Sequence, residues 1–151
     1  MGAELTSQCD VRIASERARF AWNFAQRGLV PDTGAGTWLL PRLIGVPRAL
    51  RLLYSGEFLS AEEALAIGYV SRVVPADELL AAAHAEAALF LRGSPLSHQR
   101  AKELVYRGLE RSAAEHLQVH AEVMRACFQS ADHREGVAAF LERREARFTG
   151  R

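Results

Sequence analysis

Cysteine is nearly absent. Cys9 and Cys127 are the only two in 151 residues, which excludes a disulfide framework and leaves two reduced thiols as the expectation. Long apolar runs are missing as well: the longest, Leu79 to Leu91, is broken by His84 and Glu86 and is too short to span a bilayer. No basic segment leads into an apolar run near the start, so no signal peptide is read there. Charge of one sign is lacking, since 19 Lys+Arg against 18 Asp+Glu leave a net charge of +1. That balance removes the electrostatic case for nucleic acid or an anionic membrane as a partner. What is present is ordinary for a globular chain, with 49% apolar and 25% charged residues in a length that suits one domain rather than two. The expectation is a cytoplasmic protein, and composition is silent on its chemistry.

The chain has two textures. From Cys9 to Ser15, Asp10-Val11-Arg12-Ile13-Ala14 alternates polar and apolar as a half-buried strand does, and Arg19-Phe20-Ala21-Trp22 suggests a second short strand. The stretch Arg27-Gly28-Leu29-Val30-Pro31-Asp32-Thr33-Gly34-Ala35-Gly36 is too rich in glycine and proline for a helix or central strand, and reads as a shaped loop running into a helix at Thr37-Trp38-Leu39-Leu40. Pro47 suits a helix first turn, with Ala49, Leu50, Leu52 and Leu53 following and Gly56 as the stop. Ser60-Ala61-Glu62-Glu63 is a capping box opening a short helix that ends at Gly68, and Tyr69 to Val74 reads as a strand. From Ala76 onward the spacing predicts four amphipathic helices: one striped by Leu79, Leu80, Ala83, Ala87, Phe90 and Leu91; one carrying Leu104, Val105 and Leu109; one opened by a second capping box at Ser112–Glu115; and one from about Asp132, with Val137, Phe140, Leu141 and Phe148 on one side. Three short strands cannot make a substantial sheet. The expectation is that a partner subunit supplies the missing surface, or that the chain is the later part of a longer fold.

Candidate chemistry concentrates in three places. In the loop Pro31–Thr37 the glycines allow close backbone approach to a ligand, and amides at the start of the following helix can donate to an anionic oxygen. No Lys-Ser/Thr follows, and Gly34-Ala35-Gly36 lacks the third glycine of a dinucleotide fingerprint. From spacing alone an ordinary turn with Asp32 as helix N-cap is the leading reading. Glu4 lies in an apolar stretch read as preceding a strand; a carboxylate in an apolar pocket is what a general acid or base near neutral pH requires, and the alternative is a solvated terminal residue. Glu4 and Asp32 form an acid–base pair only if folding brings them together. His116 and His120 stand one helical turn apart, but with no third ligand nearby they read as packing residues, and no metal is expected. Cys9 reads as a buried structural thiol, and the mixed run Glu142-Arg143-Arg144-Glu145-Ala146-Arg147 as a solvated helix face.

Taken in order, these segments resemble the crotonase (enoyl-CoA hydratase/isomerase) superfamily. Gly2-Ala3-Glu4-Leu5 with Cys9-Asp10 is similar to the family's Gly-Gly-Cys-Glu-Leu…Cys-Asp segment. Gly28 to Thr37, with Leu40-Pro41-Arg42 and Gly45, resembles its second active-site loop. Gly56 to Ala64 with Gly68-Tyr69-Val70 resembles its Thr-Gly…Ser-Ala-Glu-Glu-Ala…Gly-Leu-Val stretch, and Arg134 to Phe140 with Arg143 and Phe148 its C-terminal signature. The resemblance corresponds to the C-terminal half of a usual member. It implies an α/β (α+β) fold: the later part of a ββα spiral over residues 1–75, including the active-site loop 28–37, and a helical trimerisation and CoA-binding region over 76–151.

The implied activity is hydration or double-bond shift of an unsaturated acyl-CoA through an oxyanion-stabilised enolate, with the CoA thioester as substrate, no other cofactor, and a homotrimer or hexamer as the assembly. Glu4 aligns with the first catalytic glutamate of the hydratases, while the second aligns with Phe24, beside Asn23, where no acid stands. Asp32 lies where some isomerases and dehalogenases of the family carry a catalytic aspartate, and its surroundings are similar to the phenylacetyl-CoA-pathway isomerase branch, with Ala35 as an insertion. The resemblance thus implies Glu4 and Asp32 as the proton-transfer pair, Met1, Gly2, Phe24 and Gly34 as oxyanion and substrate-loop positions, and Phe140 and Arg143 as CoA contacts. A truncated, non-catalytic oligomerisation or CoA-binding module is the alternative.

Overall fold

The computed structural model describes residues 1–151. The chain divides into two compact units, Met1–His84 and Ala85–Arg151. The first carries all the strands: α1 (Gly2–Ser7), β1 (Ile13–Ser15), β2 (Arg19–Phe20), α2 (Ala35–Trp38), α3 (Leu40–Ile44), α4 (Val46–Ser55), β3 (Leu59–Ser60), α5 (Ala61–Ala66) and β4 (Arg72–Val74). Helix α6 (Leu79–Phe90) carries the chain across the division, and α7 (Pro95–Gly108), α8 (Ala113–Gln129) and α9 (Ala131–Glu142) belong to the second unit. The result is a helix-rich α/β fold with two small sheets. No helix is long and apolar enough to cross a membrane.

β1, β2 and β4 are shorter than their sequence patterns suggest because their pairing extends over only two or three residues. β1 pairs in parallel with β4, with Ile13 opposite Arg72 and Ser15 opposite Val74, so the longer alternations around both segments are trimmed to three residues. β2 pairs antiparallel with β3, setting Phe20 against Leu59, and Ala21-Trp22 drops out of the ladder. The β3 strand carries no signal of its own, since Leu59-Ser60 is two residues long and Ser60 immediately caps α5.

Trp22, Leu40, Ile44, Ala49, Leu52, Leu59, Ala64, Tyr69 and Val70 form the core of the first unit. Tyr69 organises it. Its ring takes edge-on contacts from Phe20 and Trp22, with centroids 5.1 and 5.2 Å away. Its hydroxyl lies 2.8 Å from Thr6 Oγ1, 3.0 Å from Ser7 Oγ and 3.1 Å from the Ala3 carbonyl oxygen, all on α1. A six-residue helix is not stable alone, and this long-range tether fixes α1 where a run into a strand was expected. Helix α4 ends as expected at Gly56, and the Gln26 side-chain amide donates to its last carbonyls, at 2.6 Å to Ser55 and 3.2 Å to Tyr54. Both capping boxes form: the Ser60 hydroxyl accepts from the Glu63 amide and Glu63 Oε2 accepts from the Ser60 amide at 2.8 Å, with the same exchange between Ser112 and Glu115.

In the second unit the buried Asp132 acts as a clamp. Its carboxylate accepts from Ser94 Oγ at 2.6 Å and from the Thr149 and Gly150 amides at 2.8 and 3.1 Å, joining the start of α7 to the C-terminal segment. These donors favour the charged form, led by Ser94, and hold this carboxyl below its usual range. Two expectations for α9 need correction. The helix stops at Glu142, with Arg143 in the left-handed region at φ 54°, so Phe148 follows the helix and does not share its face. For the same reason Glu142–Arg147 is no helix face. Arg144 instead folds back to form a bidentate pair with Glu135 at 2.6 and 2.9 Å, and Arg147 donates its amide to Glu135 at 2.7 Å. Those contacts hold the Glu135 carboxyl down to about 2. The α6 stripe also differs: Ala82 is its buried residue, whereas Leu80, Phe90 and Leu91 are exposed.

Candidate active site

Glu4 sits on the first turn of α1 and is 1% exposed, so the solvated-terminus reading does not hold. Its two carboxylate oxygens have different surroundings. Oε2 accepts a hydrogen bond from Thr33 Oγ1 at 2.5 Å, a separation typical of a hydroxyl donating to a charged acceptor. Oε1 is buried with no partner. Beside Oε1 stands Gly36 on α2, packed so closely that a Cβ there would collide with Oε1 and approach Pro31 Cγ to 2.9 Å. Thr33 is itself fixed, because its hydroxyl oxygen accepts from the Ala35 amide at 3.3 Å.

The loop earns this geometry from its backbone. Gly34 takes φ 76° and is the residue preceding α2, a conformation that costs an L residue with a Cβ free energy that glycine does not incur. That placement corrects the reading of Asp32 as the helix N-cap. It also limits the anion-donor expectation, since α2 is four residues long and a helix that short carries little dipole. A hollow of about 350 Å³ opens beside the loop, lined by Gln8, Thr33, Gly34, Ala35, Trp38 and Leu39. Thr33 both lines this hollow and touches the Glu4 carboxylate, and Gln8, also in the lining, donates its side-chain amide to the Glu4 carbonyl at 3.5 Å.

The remaining candidates are placed as follows. Asp32 is exposed and makes no internal hydrogen bond or ion pair, while Thr33 and Gly36 are the loop residues that approach Glu4. The fold therefore brings the loop to Glu4 and leaves the Asp32 carboxylate in solvent. Met1 is 89% exposed, and its carbonyl accepts the Leu5 amide at 3.0 Å. Gly2 has open space around it. Phe24 packs partly buried against the core. Cys9 is exposed just past the end of α1 and is not the buried thiol expected, because α1 ends at Ser7 and the chain turns outward. In the second unit Phe140 is 82% exposed and Arg143 is exposed at the end of α9. A hollow of about 470 Å³ there includes Met124, Phe128, Val137, Phe140 and Phe148 in its lining. His116 and His120 lie with ring centroids 6.2 Å apart, and His116 Nδ1 is buried without a partner. No group of three metal-ligating side chains comes together.

Sequence reasoning missed Thr33. Its only signal was a hydroxyl residue inside a glycine-rich loop, and nothing in spacing announces a bond to a residue 29 positions away.

The sequence pattern of the enoyl-CoA hydratase/isomerase family matches residues 1–151. The chain belongs to this family. A probable enoyl-CoA hydratase of Mycobacterium bovis is 40% identical over 150 residues, covering 99% of this chain and 58% of the relative. A crotonyl-CoA hydratase of Syntrophomonas wolfei is 36% identical over 147 residues, covering 97% of this chain and 56% of the relative. The crystal structure of an enoyl-CoA hydratase from Bacillus anthracis superposes with a TM-score of 0.94 at 35% identity, covering 99% of this chain and 58% of that one. The chain thus spans somewhat more than half the length of these family members, and over that span it shares their fold.

Proposed function

We propose that the chain supplies acid–base and CoA-binding elements of an acyl-CoA enzyme that hydrates, or shifts the double bond of, an unsaturated acyl-CoA through an oxyanion-stabilised enolate. One observation carries this reading: Glu4 is a buried carboxylate held through one oxygen by Thr33, which lines a hollow, in a fold shared with enoyl-CoA hydratases. Proton transfer at the α-carbon of a thioester needs a positioned carboxylate and stabilisation of the enolate oxygen. In this assignment Glu4 exchanges a proton with the acyl chain, and Asp32, free of internal partners, serves as the second proton-transfer group once substrate covers the loop. Backbone at Met1, Gly2 and Gly34 and the ring of Phe24 border the acyl group, and Phe140 and Arg143 contact the CoA moiety. Isomerisation moves a proton from the α- to the γ-carbon and suits a Glu–Asp pair better than hydration does, because no second glutamate stands at Phe24. The CoA thioester is the substrate, and the reading calls on no further cofactor.

The test compares crotonyl-CoA hydration with 3-enoyl-CoA isomerisation, for the chain as it is and for Asp32→Ala. Isomerisation that exceeds hydration and falls in the variant supports the assignment. Equal rates in parent and variant remove Asp32 from the mechanism.

A second reading, a non-catalytic oligomerisation or CoA-binding module, is favoured by the apolar residues exposed in the helical unit. Val105, Leu117, Phe128, Phe140 and Leu141 are each more than half exposed, which suits burial against further copies in a trimer or hexamer. Calorimetry with acetyl-CoA separates the two readings: binding without turnover selects the module, and turnover by the chain excludes it.

A further inference from the structure

We propose that Thr33 is the positioning residue of Glu4: its hydroxyl, fixed by the Ala35 amide, engages Oε2 and so leaves Oε1 as the one oxygen of that carboxylate without a hydrogen-bond partner. This rests on the assignment of Glu4 as a proton-transfer group and adds to it the group that orients it.

The argument is one of hydrogen-bond inventory. A threonine hydroxyl has one proton to give and lone pairs with which to accept. Here the Ala35 amide occupies the accepting side at 3.3 Å, which turns the proton towards Glu4 Oε2 at 2.5 Å. No other donor reaches either oxygen, since Oε1 is unpartnered and buried. The carboxylate is therefore held at one point, and the absence of a side chain at Gly36 leaves room for the other oxygen. A carboxylate can rotate to exchange its oxygens, and a single bond to Oε2 makes them inequivalent. Because Thr33 also lines the hollow of about 350 Å³, a ligand there would lie against the group that orients Glu4. Misplacement of a reacting group by about 1 Å costs on the order of 100-fold in rate, so orientation of this kind has a kinetic consequence.

The test uses the 151-residue chain with Thr33→Val, which keeps the shape and removes the hydroxyl, and Thr33→Ser, which restores it. Thr33 is exposed, so both variants are expected to remain folded, which circular dichroism checks before either readout. The first readout is the Glu4 carboxylate stretch, isolated as the infrared difference between each protein and its Glu4→Gln counterpart. The band is expected to shift in Thr33→Val and to return to the parent position in Thr33→Ser; a Thr33→Val band at the parent position overturns the proposal. The second readout is turnover of 3-enoyl-CoA. Thr33→Val is expected to lower kcat roughly 10- to 100-fold with KM nearly unchanged, and Thr33→Ser to recover most of it. If Glu4→Gln abolishes turnover while Thr33→Val leaves kcat intact, the positioning role is wrong and the assignment of Glu4 stands. If Glu4→Gln leaves turnover intact, that assignment fails, and the infrared band still decides whether the hydroxyl holds the carboxylate.

Discussion

Replacing Gly36 with alanine tests the packing around Glu4 more sharply than any other single change. The added methyl would collide with Glu4 Oε1 and sit 2.9 and 3.0 Å from Pro31 Cγ and Cβ. The carboxylate is the end of a flexible side chain and can yield, but Pro31 is buried and its ring is rigid. Overpacking of this kind costs about 1–3 kcal/mol. Against it, alanine gains about 1 kcal/mol over glycine inside a helix, and Gly36 lies in α2. Taking about 2 kcal/mol for the overpacking leaves a net loss of roughly 1 kcal/mol, or ~2–4 °C in melting temperature for a chain of this size. Urea or thermal melts of Gly36→Ala, Glu4→Ala and the double variant provide the assay. In the Glu4→Ala background the clash with Oε1 disappears and the Pro31 contact remains, so Gly36→Ala costs less there, with a coupling of about 0.5 kcal/mol or more. A single variant as stable as the parent, or additive effects in the double variant, refutes the close approach of α2 to Glu4.

Other expectations follow from the same geometry. Tyr69→Phe removes the hydroxyl that ties α1 to the core and leaves partners on Ala3, Thr6 and Ser7 without it, for a loss of about 1–3 kcal/mol in a urea melt and faster amide exchange in α1. The Asp132 carboxyl is held below its usual 3.8 by Ser94 and the C-terminal amides, so its contribution is fully present above about pH 4 and is lost as pH falls through the lower, folded value. Amide shifts of Thr149 and Gly150 are expected to move in that acid range and to be insensitive there in Asp132→Asn. Arg144→Lys breaks the bidentate contact with Glu135, and proteolysis within the segment after α9 should accelerate; unchanged cleavage would show that the pair does not hold the segment.

What could be read ahead of the coordinates was local. The Ser60 and Ser112 capping boxes, the Gly56 stop and the existence of helices α7, α8 and α9 depend on residues within one or two turns of each other, and they formed at the expected places. What was misread depends on distant partners. Helix α1 exists because of Tyr69, more than 60 residues away, and β1 and β4 are cut short by how far their pairing extends. Phe148 was grouped with α9 because the reversal at Arg143 has no glycine to announce it. At the site, the apolar neighbours of Glu4 leave a buried carboxylate and a solvated terminal residue both open, and the fold decides for burial. Thr33 was not foreseen, since its part comes from the loop folding back onto α1.

Proton transfer by Glu4 is tested most directly by incubating the chain with crotonyl-CoA in deuterated water and following the α-position by proton NMR. The account predicts deuterium incorporation by the parent chain and a rate lower by roughly 100- to 10,000-fold in Glu4→Gln. Incorporation at the parent rate in Glu4→Gln would contradict it.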